Sequence, residues 1–316
     1  MKIVILESLG ISEDAFDSLT APLKERGHEL VYYTDVVDVS EQKERVKDAD
    51  ILVIANMPLG AEVINAADQL KFIAVAFTGY DHVDLDACEQ KGIKVSNAGG
   101  YSTHSVAELT FGLIIGLLRN MVPLDHVARE GGTKDGYSQN DLYGKTLGVI
   151  GTGEIGGKVC DLGLAFGCDV VAYSRTEKED LKEKGVKYLS LEDLLAESDI
   201  VTIHTPLTDQ TKGLIGKEEL EMMKDSALII NTGNGPIIDN DALAKALEEG
   251  VIAGAGLDRV DMEPPIPSDY PLLKAPNTFL VPHIGFATDE ALERRAEITF
   301  DNIEKWEDGA QINVVL

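Results

Sequence analysis

The stretch Gly151-Thr152-Gly153-Glu154-Ile155-Gly156 constrains this chain more than any other. An apolar run, Leu147-Gly148-Val149-Ile150, leads straight into it, and the apolar positions Ile155, Val159 and Leu162 behind it have helical spacing. Three glycines between a strand and a helix let a main chain turn tightly, approach a pyrophosphate closely and pack the helix onto the sheet, with the anion on the helix N-terminus. Nearly half of the 316 residues come before this motif. A dinucleotide-binding domain that begins so late implies another domain upstream.

The upstream half alternates short apolar runs with helical patterns. Strands are predicted over 3–6, 30–33, 51–54, 72–76 and 94–95, with helices over about 12–26, 40–47, 60–67 and 84–91. Gly27 and Gly92 stand where helix C-terminal glycines belong. A long apolar helix is expected from Ser102 to about Arg119, with Pro123 marking a kink or break. After a polar loop over 130–141, a second series places strands near 146–150, 169–173, 200–203, 227–231, 253–257 and 278–281. A last helix, about 287–307, is long enough to return to the first domain. The expected fold class is α/β, with two doubly wound parallel-sheet domains and a cleft between them. Residues 1–98 with 287–316 form one domain, flavodoxin-like, and 99–286 form the Rossmann dinucleotide-binding domain.

Charge narrows the partners. The formal net charge is −27, from 55 acidic against 28 basic residues. Such a surface repels nucleic acid and anionic membranes. The longest apolar stretch, Val106 to Leu118, is too short to span a bilayer. The N-terminus does not read as a signal peptide. Three cysteines, Cys88, Cys160 and Cys168, lack metal-ligand spacing and read as buried thiols in a reducing compartment. A cytoplasmic chain with no metal is expected.

Cofactor choice is read at the end of the second strand of the nucleotide domain. An NAD site usually puts a carboxylate about twenty residues beyond the glycines, to hold the ribose 2′-OH. Here Ser174, Arg175 and Thr176 occupy that turn. No carboxylate repels a 2′-phosphate, and Arg175 can pair with one. NADP is therefore favoured over NAD, the alternative being that Arg175 faces solvent and NAD binds. Further on, Glu263 precedes two prolines, and His283 follows a predicted strand in Val281-Pro282-His283-Ile284-Gly285. A carboxylate that fixes an imidazole favours its protonated form, and such a pair can give a proton to a carbonyl oxygen while hydride reaches its carbon.

These stretches together resemble the D-isomer-specific 2-hydroxyacid dehydrogenases over essentially the whole chain. Lys71-Phe72-Ile73-Ala74-Val75-Ala76-Phe77-Thr78-Gly79-Tyr80-Asp81-His82-Val83-Asp84 carries the resemblance first. Ser102-Thr103-His104-Ser105-Val106-Ala107-Glu108, the glycine motif and His204-Thr205-Pro206 follow. Asn231-Thr232-Gly233-Asn234-Gly235, Leu257-Asp258, Glu263-Pro264 and Pro282-His283 complete it in order. The stretches around residues 76–79 and 101–106 look most like the glyoxylate and hydroxypyruvate reductase branch. The resemblance implies an NAD(P)-dependent oxidoreductase that moves hydride between nicotinamide and a small 2-keto or 2-hydroxy acid, or a related carbonyl compound. It implies an acid–base pair of Glu263 and His283, and a main-chain cradle for the substrate carboxylate at Phe77, Thr78 and Gly79. It implies nicotinamide contacts at Asp258, Thr232 and Gly233, and an adenosine wall at His204, Thr205 and Pro206. It also implies a homodimer.

One departure stands out. The family has arginine in Asn-x-x-Arg-Gly, where it binds the substrate carboxylate and polarises the carbonyl; this chain has Asn234. Gly233 also replaces the usual Ala or Ser, and Arg259, Val260 and Asp261 replace a segment more often Val, an aromatic and Glu. Loss of one such donor lowers rates on the order of 10²–10³-fold, so activity on ordinary 2-keto acids is expected to be impaired. Restoring arginine at 234 is expected to raise it. Alternation along a strand points Arg259 away from Asp258, which argues against Arg259 as a replacement. The alternative reading is a cofactor-binding regulatory protein of the same fold with weakened catalysis.

Overall fold

The computed structural model describes residues 1–262 and 265–316; Glu263, one half of the expected acid–base pair, and Pro264 lie outside the described residues. Along the chain come β1 (Lys2–Ile5), α1 (Glu13–Glu25), β2 (Glu29–Tyr32), α2 (Val39–Val46), β3 (Ile51–Ile54), α3 (Ala61–Ala66), β4 (Phe72–Val75), α4 (Leu85–Lys91) and β5 (Lys94–Asn97). Then follow α5 (Thr103–Leu118), α6 (Met121–Arg129), β6 (Thr146–Ile150), α7 (Glu154–Ala165), β7 (Asp169–Tyr173), α8 (Glu179–Glu183), β8 (Lys187–Tyr188), α9 (Leu191–Glu197) and β9 (Ile200–Ile203). The chain ends with α10 (Lys217–Met222), β10 (Leu228–Asn231), α11 (Asn240–Glu248), β11 (Gly254–Leu257), β12 (Thr278–Leu280) and α12 (Asp289–Glu307). Two compact units result, residues 1–102 with 286–316, and residues 103–285.

The first unit is a five-stranded parallel sheet in the order β2-β1-β3-β4-β5. β3 and β4 are four-residue apolar runs buried throughout, as strands covered on both faces must be. Helix starts follow local chemistry. The side chains of Ser12, Asp38 and Asp84 each accept a backbone N–H from the first turn they precede. α12, capped by Thr288, packs against α1 and β4 and sends Ala296, Phe300 and Ile303 into the core that holds Ile3, Ile51 and Phe72.

The second unit is a seven-stranded parallel sheet in the order β12-β11-β10-β9-β6-β7-β8. Successive connections leave β6 in opposite directions, towards β7 on one side and β9 on the other. Ligands of open α/β sheets bind at the carboxyl ends of strands at such a switch. The glycine motif follows β6, and His204 follows β9.

Two expectations about elements need correction. β8 was not foreseen, because two residues, Lys187 and Tyr188, make no apolar run. The break between α5 and α6, a bend of 59°, falls at Asn120 rather than at Pro123. Asn120 adopts a left-handed conformation, φ 49°, and Pro123 sits in the first turn of α6, where its missing N–H has no helical acceptor to lose.

Candidate active site

The glycine turn is built as a dinucleotide site requires. Gly151 has φ +89°, and a Cβ there would press on the backbone of His204 and Thr205, at 2.8–2.9 Å. A Cβ on Gly156 would overlap the Gly151 carbonyl. Around Gly153, by contrast, nothing lies within 4 Å of where a Cβ would be. The first and last glycines are thus closed in by protein, and the middle one faces open space at the start of α7, beside Glu154 and Ile155. A pyrophosphate fits that opening, and the N-terminus of α7 favours its charge. A cavity of about 250 Å³ adjoins it, lined among others by Thr103, His104, Gly153, Lys158 and Lys178. Lys178 Nζ is 3.4 Å from the Gly153 carbonyl.

Sequence reasoning assigns no role to Lys158, Lys178 or Tyr188. Tyr188 Oη donates to Thr152 Oγ1 at 3.0 Å and accepts the Lys178 N–H, also at 3.0 Å. The short strand β8 therefore ties the lysine to the glycine turn. A cue was available: a lysine two residues beyond Gly156, and another just past the 2′-OH position. Ser174 is half-buried, Arg175 and Thr176 are exposed, and Arg175 forms no ion pair among the described residues.

On the β9 side, His204 turns inward. Its Nε2 lies 2.9 Å from Thr202 Oγ1, and burial pushes its pKa down to about 3, so the ring is neutral. What reaches the glycine turn from here is main chain at His204 and Thr205. Pro206 directs its carbonyl to Thr211 Oγ1, 2.6 Å away.

Three loops follow β10, β11 and β12 at the same end of the sheet. After β10, Asn231 Oδ1 accepts the Gly233 N–H at 3.0 Å and its Nδ2 donates to the Asn234 carbonyl at 3.1 Å. This closes a turn that holds Asn234 half-buried. Thr232 directs its hydroxyl inward to Thr110 Oγ1, 3.0 Å away, so the site is offered backbone at Thr232 and Gly233. After β11, Asp258 is 3 % exposed and holds the third loop: its Oδ1 accepts the Ile284 N–H at 2.7 Å, its Oδ2 the Gly285 N–H at 3.0 Å, and its carbonyl the His283 N–H at 2.9 Å. Burial raises the Asp258 pKa, against the lowering effect of those two N–H donors. His283 itself is left-handed, φ 57°, a conformation that costs of order 1 kcal/mol outside glycine and persists where surroundings enforce it. The anchoring by Asp258 is that enforcement.

Arg259 departs from expectation. β11 ends at Leu257, so strand alternation does not govern residue 259, and Arg259 Nη1 donates to Asn234 Oδ1 at 2.8 Å. Asp258 and Arg259 face different partners, but the arginine does reach position 234.

In the first unit, residues 77–79 follow β4. The Phe77 carbonyl accepts the Ala98 N–H at 3.0 Å and the Thr78 carbonyl accepts Asn97 Nδ2 at 2.7 Å. The N–H groups of Thr78 and Gly79 meet no protein acceptor among the described residues, which suits a main-chain cradle for an anion. No group of three or more potential metal ligands occurs among the described residues.

The family model for the D-isomer specific 2-hydroxyacid dehydrogenase NAD binding domain matches residues 111–285, more than half of the chain. The chain belongs to this family. A glyoxylate reductase of Korarchaeum cryptofilum is 43% identical over 82% of this chain and 80% of its own length. A hydroxypyruvate reductase of Blautia hydrogenotrophica is 34% identical over 100% of this chain and 99% of its own. Among solved structures, an acyclic imino acid reductase in complex with NADPH and D-Arg superposes with a TM-score of 0.89 at 27% identity, each chain covered in full. For a 2-hydroxyacid dehydrogenase, a nicotinamide dinucleotide is the cofactor, and the open approach at Gly153 accommodates its pyrophosphate.

Proposed function

We propose that this chain reduces a small 2-keto acid of the glyoxylate or hydroxypyruvate type to the 2-hydroxy acid, using NADPH in preference to NADH. The observation that carries the reading is His283, held in a left-handed conformation by Asp258 at the carboxyl end of the sheet that also presents the glycine turn. The glyoxylate and hydroxypyruvate reductases among its relatives support the substrate class.

The nicotinamide, when bound, supplies the hydride. The residues of the chain do the rest. His283 gives a proton to the carbonyl oxygen as charge develops there, and Glu263 serves as its carboxylate partner. The N–H groups at Thr78 and Gly79, next to Phe77, receive the carboxylate. Asn234 adds a hydrogen-bonding amide beside the substrate. The main chain at Thr232 and Gly233 would border the nicotinamide, with Asp258 holding the loop behind it, and the main chain at His204 and Thr205, with Pro206, would border the adenosine. Ser174, Arg175 and Thr176 receive the 2′-phosphate, a reading supported by the exposure of Arg175, which forms no ion pair among the described residues, and by Lys158 and Lys178 beside the glycine turn. Two wider inferences accompany this one. The chain works as a homodimer, which would cover Met121 and Val122 of α6, a helix with no buried residue. It works in the cytoplasm, where its three buried free cysteines stay reduced.

The test is oxidation of NADPH and NADH with glyoxylate, hydroxypyruvate, pyruvate and an aldehyde lacking a carboxylate. Turnover of the first two with NADPH is expected. Arg175→Ala should raise the KM for NADPH about tenfold, the loss of one charge-assisted contact, and leave that for NADH unchanged. A chain that turns over no carbonyl with either cofactor is not a reductase of this class.

A further inference from the structure

Two segments of the second unit, the glycine turn after β6 and residues 174–178 after β7, are joined by a side chain that belongs to neither. Tyr188 stands on β8, opposite Ala172 of β7. Its Oη donates to Thr152 Oγ1 at 3.0 Å and accepts the Lys178 N–H at 3.0 Å. A hydroxyl has one proton to give and lone pairs to receive, so both bonds are made at once. Thr152 sits between the first two glycines of the motif and is 1 % exposed. Lys178 is the residue from which α8 starts, and no side chain caps that start.

Little else holds the two segments together. Among the described residues, one direct hydrogen bond joins residues 174–178 to residues 151–156, from Lys178 Nζ to the Gly153 carbonyl at 3.4 Å. That bond is long and hangs on a flexible four-carbon stem; the same Nζ is 3.9 Å from the exposed carboxylate of Glu154. Tyr188 is stiff by comparison. Its ring packs on the core that holds Cys160 and Leu181, and the Lys182 ammonium lies 5.9 Å from its centroid. The cavity of about 250 Å³ is lined from both segments, by Gly153 and Glu154 and by Lys178 and Asp180, so no packed side chains fix its width there.

We propose that Tyr188 is a positioning residue for cofactor choice. By holding Lys178 to Thr152 it sets the spacing between the pyrophosphate approach at Gly153 and the turn at 174–176. The inference rests on the reading of Ser174, Arg175 and Thr176 as the 2′-phosphate turn. NADPH carries both anionic groups on one ribose, the pyrophosphate at the 5′ and the phosphate at the 2′ position. Once the first group is bound, a second group at a fixed spacing is met at little further cost in order. NADH lacks the 2′-phosphate and draws no advantage from the spacing. Loss of the tether therefore weakens NADPH and spares NADH.

The test uses Tyr188→Phe, which keeps the ring and deletes both bonds, together with Arg175→Ala and the double variant. NADPH and NADH are titrated by nicotinamide fluorescence, and adenosine 2′,5′-bisphosphate, which has no nicotinamide, by calorimetry. Tyr188→Phe is expected to weaken NADPH and the bisphosphate about three- to tenfold, the worth of one neutral hydrogen bond, and to leave NADH within about twofold. On Arg175→Ala, adding Tyr188→Phe should change NADPH binding less than about twofold, because the group being positioned is gone. The proposal is overturned if Tyr188→Phe weakens NADH as much as NADPH, if it weakens neither, or if its whole effect on NADPH persists on Arg175→Ala. Should Tyr188→Phe fail to fold, Thr152→Val cuts the tether at its other end. Both cofactors carry the pyrophosphate, so the ratio of their losses cancels any direct effect on the glycine turn. A parent chain that binds NADPH no better than NADH overturns the NADPH reading and the tether with it; a parent that prefers NADPH, with equal losses in Tyr188→Phe, overturns the tether alone.

Discussion

Asp258 shows how one buried carboxylate shapes a site. Its two oxygens take the N–H groups of Ile284 and Gly285, at 2.7 and 3.0 Å, and a Cβ on Gly285 would lie 2.7 Å from Oδ2, so the loop closes on the carboxylate without slack. Asp258→Asn must turn an NH₂ towards one of those N–H groups. An unsatisfied buried donor costs about 1–3 kcal/mol. The pH dependence of that cost follows from the raised pKa. The folded state holds the Asp258 proton more tightly than the unfolded chain does, so the parent loses stability as pH rises from the ordinary carboxylate range through the raised value. Asparagine has no such loss. The destabilisation by Asp258→Asn is therefore expected to be largest near about pH 4 and to shrink towards neutrality. Urea unfolding midpoints of both chains across that range measure it; a gap that widens with pH contradicts the assignment. The role of this residue was legible in part: Leu257-Asp258 was recognised as a site segment, while its three contacts to residues 283–285 join strands that the sequence cannot align.

At the scale of elements, the glycine turn divides its labour in a way that substitution can separate. Gly156 is closed in by the Gly151 carbonyl, whereas Gly153 has open space and an ordinary backbone, φ −63°. Gly156→Ala should destabilise the second unit by about 1–3 kcal/mol, as overpacking does. Gly153→Ala should leave the melting temperature nearly unchanged and weaken NADPH binding, because the methyl group fills the pyrophosphate approach. Thermal unfolding beside NADPH fluorescence titration separates the two; equal loss of stability in both variants would sink the division. Most of this element was readable in advance, since a strand, three glycines and a helix are local signals. The clip from β8 was not: Tyr188 reaches Thr152 and Lys178 across the sheet, and two residues carry no periodicity. The contact between Arg259 and Asn234 was missed for a related reason. Alternation holds only while a strand lasts, and β11 stops two residues earlier, at a point set by its partners in the sheet.

The whole molecule carries 55 acidic and 28 basic residues, and at that scale two electrostatic effects compete. Ion pairs such as Lys24–Asp17, Lys47–Glu44 and Arg129–Asp125 join side chains that are mostly exposed, and each contributes about 0–1 kcal/mol at best. Salt weakens them. Salt also weakens the mutual repulsion of an excess of 27 negative charges, which opposes the compact state over distances longer than any one pair. The Debye length falls from about 30 Å at 0.01 M to about 10 Å at 0.1 M. Screening in that range therefore removes long-range repulsion before it touches pairs at 2.6–2.8 Å. Repulsion is the larger loss, so the melting temperature at neutral pH should rise by a few degrees, roughly 1 kcal/mol of stability, between about 10 and 200 mM sodium chloride. Near pH 4.5, where the sequence-derived charge balances, the excess vanishes and the same salt series should leave the melting temperature flat or lower it, as only the pairs remain to be screened. A rise of equal size at both pH values would mean that salt acts on apolar burial instead.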